Sequence, residues 1–143
     1  MPETLLPRAD EVERLILASP FHRWLGLRVT ALSERSITVQ APWREEFVSD
    51  PGRGTAHGGV LAAMADLAAD WALVGTIGRA VPTVDLRVDY LRPARPGPLT
   101  AVGTVVKPGR QVSVSEAVVT GADGKVVAVG RGTFLSAVEG ASR

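Results

Sequence analysis

The segment from Gly58 to Gly75, GGVLAAMADLAADWALVG, contains no Lys, Arg, Glu or Pro, and nothing else in the chain constrains its fold as strongly. Ala, Leu and Met favour helix, and the pattern predicts one long helix from Gly58 to about Gly75. On a wheel of about 100° per residue, Val60, Leu61, Met64, Leu67, Ala68 and Trp71 share one broad apolar stripe. The opposite face holds Gly59, Ala62, Ala63, Ala69 and Leu73, together with Asp66 and Asp70. A face turned to water would carry charges of both signs. Both faces are therefore expected to pack, with other elements wrapped around the helix.

Strands supply the wrapping. Leu25, Leu27 and Val29 alternate with other residues and predict one strand; Ile37, Val39 and Ala41 predict another after a turn near Ser33–Arg35. Phe47 to Ala56, rich in Gly, Pro, Ser and Asp, reads as a loop. Val84, Leu86, Val88 and Tyr90 alternate with Asp85, Arg87 and Asp89, the pattern of a half-buried strand. After the break at Pro93, Pro96, Gly97 and Pro98, strands are predicted over Leu99–Val106, Val112–Thr120 and Val126–Leu135, joined by turns at Pro108-Gly109 and Asp123-Gly124. Ahead of these, Asp10 and Glu13 have the form of a capping box opening a short helix through Val12, Leu15 and Ile16, ended by Ser19-Pro20. Strands around one helix make this an α+β domain with an antiparallel sheet.

The 143 residues fit a single domain, 1–143, with its core at about 20–137. Sixteen Lys and Arg against fifteen Asp and Glu give no basic stripe for nucleic acid. The absence of cysteine excludes disulfides, thiolate metal sites and a cysteine nucleophile. Met1 to Asp10 has no apolar run of the signal-peptide kind, and Gly58–Gly78, interrupted by Asp66 and Asp70, reads as a poor membrane span. A cytoplasmic protein without membrane contact is expected.

Two carboxylates on an otherwise small, apolar helix need a reason to be there. They sit at a solvated rim, pair with arginines of neighbouring strands, or form part of a cleft in which one acts as base or nucleophile. His57-Gly58-Gly59 places two residues without side chains where a helix leaves its N–H groups unpaired. A carbonyl or anion could approach those groups closely.

His57 to Asp66, HGGVLAAMAD, resembles the HGG-x(6)-D signature of PaaI-like hotdog thioesterases. Pro82 to Ala94 resembles the long strand that follows the helix in that family, and Phe21–Leu27 and Gly130–Phe134 are compatible with it. The resemblance covers residues 20 to 137. It implies a hotdog fold, a curved antiparallel sheet around one long central helix, in a dimer or dimer of dimers with sites shared between chains. It implies hydrolysis of acyl-CoA thioesters to free acid and CoA, with Asp66 as general base or nucleophile and the Gly58 N–H polarising the carbonyl. By the same resemblance His57 orders the loop, and Thr83 occupies a hydroxyl position that helps place water. Relatives often carry Asn six residues before the motif histidine, where this chain has Pro51; Asp50 and Thr55 are the neighbouring substitutes.

The phosphates of CoA call for cations at the pocket mouth. Arg110 is the first choice, with Lys107 beside it and Arg92 and Arg95 in the Pro-rich loop; Gly59 adds backbone to the substrate site. Neither metal nor cofactor is expected. Two other readings remain: a hotdog hydratase or dehydratase, for which His22 and His57 are the only histidines, and a non-catalytic acyl-CoA-binding module. No G-x-S-x-G elbow is present for a serine hydrolase.

Overall fold

In the computed structural model, which describes residues 6–137, the first element described is helix α1 (Ala9–Ile16), burying Val12 and Ile16. The ends of the expected 1–143 domain, residues 1–5 and 138–143, lie outside the described residues. The cap is Arg8 rather than Asp10: Glu11 accepts the Arg8 N–H at 3.2 Å. Glu13, expected to close a box, instead accepts the Val29 N–H at 2.8 Å. Val29 belongs to β1 (Arg28–Leu32), an edge strand, so Glu13 supplies a partner that no neighbouring strand offers.

Ser19-Pro20 starts a second helix instead of closing the helical region. In α2 (Pro20–Leu25) proline occupies the first turn, where its missing N–H costs nothing, and Ser19 Oγ accepts the His22 N–H. Gly26, at φ 69°, ends α2 in a left-handed conformation. The strand predicted around Leu25 therefore begins later, at Arg28, although Leu25 and Leu27 are both buried. After β2 (Ser36–Ala41) and a single 3-10 turn (Glu45–Phe47), the expected loop is a small hairpin of β3 (Val48–Asp50) and β4 (Thr55–Ala56). An aromatic cluster anchors it: Phe21 stacks on Trp24, Trp24 and Trp43 meet buried Phe47 edge-on, and the Arg44 guanidinium lies 4.4 Å over Trp24. Phe47 then accepts the His57 N–H at 2.7 Å, which fixes where the central helix starts.

That helix, α3 (Gly58–Trp71), is shorter than its apolar run; the chain breaks at Ala72 and resumes as α4 (Val74–Ile77). The remaining strands are β5 (Thr83–Tyr90), β6 (Leu99–Lys107), β7 (Val112–Thr120) and β8 (Val126–Leu135). Six strands form one antiparallel sheet in the order β1-β2-β6-β7-β8-β5, curved around α3 as in a hotdog fold. Leu61, Met64 and Leu67 bury the large side chains of α3, at about 2 kcal/mol each. Ala65, Ala68 and Ala69 are buried because the helix lies almost on the sheet backbone. A Cβ at Gly103 of β6 would collide with the Ala68 carbonyl, and one at Gly130 of β8 would stand 3.2 Å from Ala65 Cβ. By length and hydropathy Gly58–Ile77 could cross a bilayer, but here half of it is buried within the fold.

β5 departs from the half-buried pattern. It is an edge strand, and Val84 and Tyr90 are 62% and 54% exposed, while Val88 packs on the core. Its register against β8 also shifts: Thr83 lies opposite Phe134, yet Asp85 lies opposite Thr133. Val84 is thus the extra residue of a β-bulge. Without it, Thr83 would share the outer face with Asp85, Arg87 and Asp89; with it, Thr83 takes the helix-facing side of the sheet like its neighbour Phe134, although Phe134 is fully buried and Thr83 stays exposed.

Candidate active site

At the N-terminus of α3, His57 is the cap, and its Nδ1 accepts the Gly59 N–H at 2.8 Å. The Val60 N–H turns back to the His57 carbonyl. Tyr90 Oη donates to the Gly58 carbonyl at 3.0 Å, so the Gly58–Gly59 peptide is held on both sides. The Gly58 N–H has no partner among the described residues and carries the positive end of the helix dipole. It opens into a groove lined by Thr55, Leu61, Tyr90, Arg92 and Pro93. A Cβ at position 58 would press on the Tyr90 ring at 3.1 Å, so glycine there lets the ring lie close against the helix start.

Two helical turns on, Asp66 is partly buried, and its Oδ1 accepts a hydrogen bond from Thr83 Oγ1 at 2.7 Å. The second carboxylate oxygen is left to take a proton or attack a carbonyl. Asp70, one turn further, accepts the Val81 N–H at 2.8 Å. Burial pushes its carboxyl up to about 7, aided by the charge of Asp66 and opposed by the Val81 hydrogen bond.

The cations expected at the pocket mouth separate into two groups. Arg92 shares the Gly58 groove and, with Arg95 and Lys125, a second groove at the same end of the sheet; it also donates to the Val126 carbonyl at 2.8 Å. Lys107 and Arg110 flank the β6–β7 turn at the other end, where β5 starts with Thr83. Near Pro51, the Asp50 carboxylate is occupied within its own turn by Gly52 N–H and Arg53, whereas Thr55 faces the groove. His22 is engaged far from both carboxylates, its Nδ1 2.9 Å from the Ile16 carbonyl. Among the described residues no three His, Asp or Glu side chains gather as a metal site.

The match to known proteins follows this geometry. Residues 53–128, which run from the β3–β4 hairpin through α3 into β8, match the thioesterase superfamily. The chain belongs to that superfamily. It is 41% identical to a putative esterase of Halobacterium salinarum over 78% of this chain and 80% of the relative. A medium/long-chain acyl-CoA thioesterase of Escherichia coli is 30% identical over 72% and 76% of the two chains. A solved X-ray structure of a thioesterase-superfamily protein superposes with a TM-score of 0.86 at 41% identity, covering 89% of this chain and 96% of that one. Membership makes this chain a thioester hydrolase with the hotdog fold.

Tyr90 was not visible in the sequence as a member of the site, and Thr83, expected there from the resemblance, could not be oriented from the pattern of its own strand. Tyr90 reads there as one more apolar residue of an alternating strand, and its bond to Gly58 spans 32 positions. The inward turn of Thr83 depends on a bulge that alternation alone argues against. Asp-Leu-Arg-Val-Asp-Tyr keeps perfect period two, and the only local signal is that Thr83-Val84 precedes it beside Pro82.

Proposed function

We propose that the protein hydrolyses acyl-CoA thioesters in sites formed between two copies of the chain. The observation that carries this reading is the division of labour along α3: an unpaired Gly58 N–H at its start, and an Asp66 carboxylate with one oxygen occupied by Thr83. Gly58 N–H polarises the thioester carbonyl, a contribution typically of about 10²–10³ in rate. Asp66 takes a proton from water as that water adds to the carbonyl carbon, or attacks the carbon itself to form an anhydride. In the first route the oxyanion collapses, the C–S bond breaks, and the CoA thiolate receives the proton held by Asp66; in the second the C–S bond breaks as the anhydride forms and CoA leaves as thiolate, after which water hydrolyses the anhydride, releasing the acid and a proton and restoring the Asp66 carboxylate. Edge strand β5, with its exposed Val84 and Tyr90, is the surface on which the second copy would pair. Arg92 on the Gly58 side and Arg110 and Lys107 on the Asp66 side would then both border the CoA phosphates.

The test is thiol release from a panel of acyl-CoAs by wild type and Asp66→Asn. The variant should lose at least about a hundredfold in kcat while retaining acyl-CoA binding. Near-normal turnover would remove Asp66 from the mechanism, and binding without any turnover by wild type would favour a binding module.

A further inference from the structure

Resting on that assignment, we propose that Asp70 is a positioning residue for the Asp66–Thr83 pair: by holding the Val81 amide it sets where β5 begins against α3. The segment from Gly78 to Pro82 carries the chain from α4 to β5 without regular structure. Its anchors are few. Gly78, at φ 86°, closes α4 through its N–H to Val74; Val81 N–H goes to Asp70; and the Pro82 carbonyl accepts the Leu135 N–H. Of these, only the Val81 contact ties the segment to the helix that carries Asp66. Thr83 follows two residues later, just before the bulge that turns it inward. Its 2.7 Å bond to Asp66 therefore depends on the bulge for direction and on Asp70 for distance.

A carboxyl suits this task better than an apolar residue. Val81 is buried, and its N–H would lose its partner without an acceptor at position 70. Asp66 is the charged group acting on Asp70 from its own helix. The sheet strands packed on α3 direct their charges outward: Arg87 pairs with Asp89 and Arg131 with Glu116 along one outer groove, while Asp85 and Lys107 are exposed. Arg79, in the connecting segment, and Arg110, in the β6–β7 turn, are exposed as well. Among the described residues Asp70 thus has no ion-pair partner to move it away from the Val81 amide.

The experiment compares Asp70→Ala, Asp70→Asn, Thr83→Val and the Asp70→Ala/Thr83→Val double variant. Misplacing the base should lower kcat roughly ten- to a hundredfold in Asp70→Ala, with KM changed by less than about twofold. Asp70→Asn keeps an acceptor oxygen and should restore most of that loss. If Asp70 acts through Thr83, adding Asp70→Ala to Thr83→Val should cost little more, whereas independent effects multiply. A wild-type kcat in Asp70→Ala, no recovery in Asp70→Asn, or multiplying losses would each overturn the proposal. A second measurement needs neither substrate nor a folded Asp70→Ala: the Val81 amide resonance, followed by NMR against pH. It should titrate in wild type and stay flat in Asp70→Asn; an amide that ignores pH in wild type refutes the tether. Absence of thioester turnover in wild type would instead defeat the functional assignment while leaving the Val81 titration standing.

Discussion

Gly58 and Asp66 sit eight residues apart on α3, about 12 Å at 1.5 Å per residue. A carbonyl and the water attacking it must come within about 3 Å of one another, so one helix cannot serve one substrate with both groups. Two helices related by a two-fold axis can, and each pair then makes two sites. The perturbation that separates the halves is Gly58→Pro against Asp66→Asn. Proline removes only the N–H in question, is tolerated in a first helical turn, and follows a residue already extended (His57, ψ 135°). Its ring would press on Tyr90, whose half-exposed side chain has solvent to move into. Gly58→Ala, which adds the same Cβ but keeps the N–H, measures that steric part alone. Each parent variant should be inactive. After random exchange about half the dimers are mixed, and each of these has one site with both lesions and one with neither. Thiol release should therefore recover to about a quarter of wild type, or the same fraction of Gly58→Ala if the Cβ itself slows the reaction. Complete inactivity after exchange verified by mass-tagged chains, with both parents folded and dimeric, would refute the composite site.

Gly103→Ala should cost about 3 kcal/mol in urea unfolding and Gly130→Ala about 1 kcal/mol, because only the former meets helix backbone; equal costs would contradict the seating of α3. Asp70 makes stability fall with rising pH. Its unfolded carboxyl loses a proton near 3.8 and its folded one near 7, so between these values the folded state binds more protons and the slope is negative. Asp70→Asn should flatten the urea midpoint across that window and exceed wild type above pH 7; parallel curves would show that Asp70 does not titrate as its burial requires. Arg92→Ala should raise KM for acyl-CoA about fivefold with kcat nearly unchanged, since a remote phosphate contact is uniform binding. An unchanged KM would leave Arg92 to its bond with Val126.

The fold was legible where the physics is local. A helix without Lys, Arg or Glu must be surrounded, and the alternating runs at Leu99–Val106, Val112–Thr120 and Val126–Leu135 match β6, β7 and β8 closely. The places of His57 as helix cap and of Gly58 and Asp66 along one helix were legible because motif and helix periodicity coincide. The failures lie where a partner distant in sequence decides. Glu13 left a box it could have closed because an edge strand offered a donor. Leu25 looked like a strand residue because burial at a helix end and in a strand leave the same apolar mark. Val84 reads as the first inward residue of β5, and only pairing with Phe134 and Thr133 shows it to be surplus. The grouping of Arg92 with Lys125 needed the sheet to bring two connections to one end.

The seat of α3 on Gly103 has a consequence for how such an enzyme could change its substrate. Where helix backbone rests on sheet backbone there are no rotamers to adjust, so the helix can neither slide nor tilt to suit a different acyl group. Under the proposed mechanism the Gly58 and Asp66 of each copy ride on that helix, so each keeps its place relative to its own sheet whatever the substrate. Room for novelty is left to the parts that do not bear on the seat: the β3–β4 hairpin, the Pro-rich stretch after Tyr90 and the outer edge of β5. Substitutions gathered there would alter which thioester is accepted, while the machinery for breaking it stays as it was.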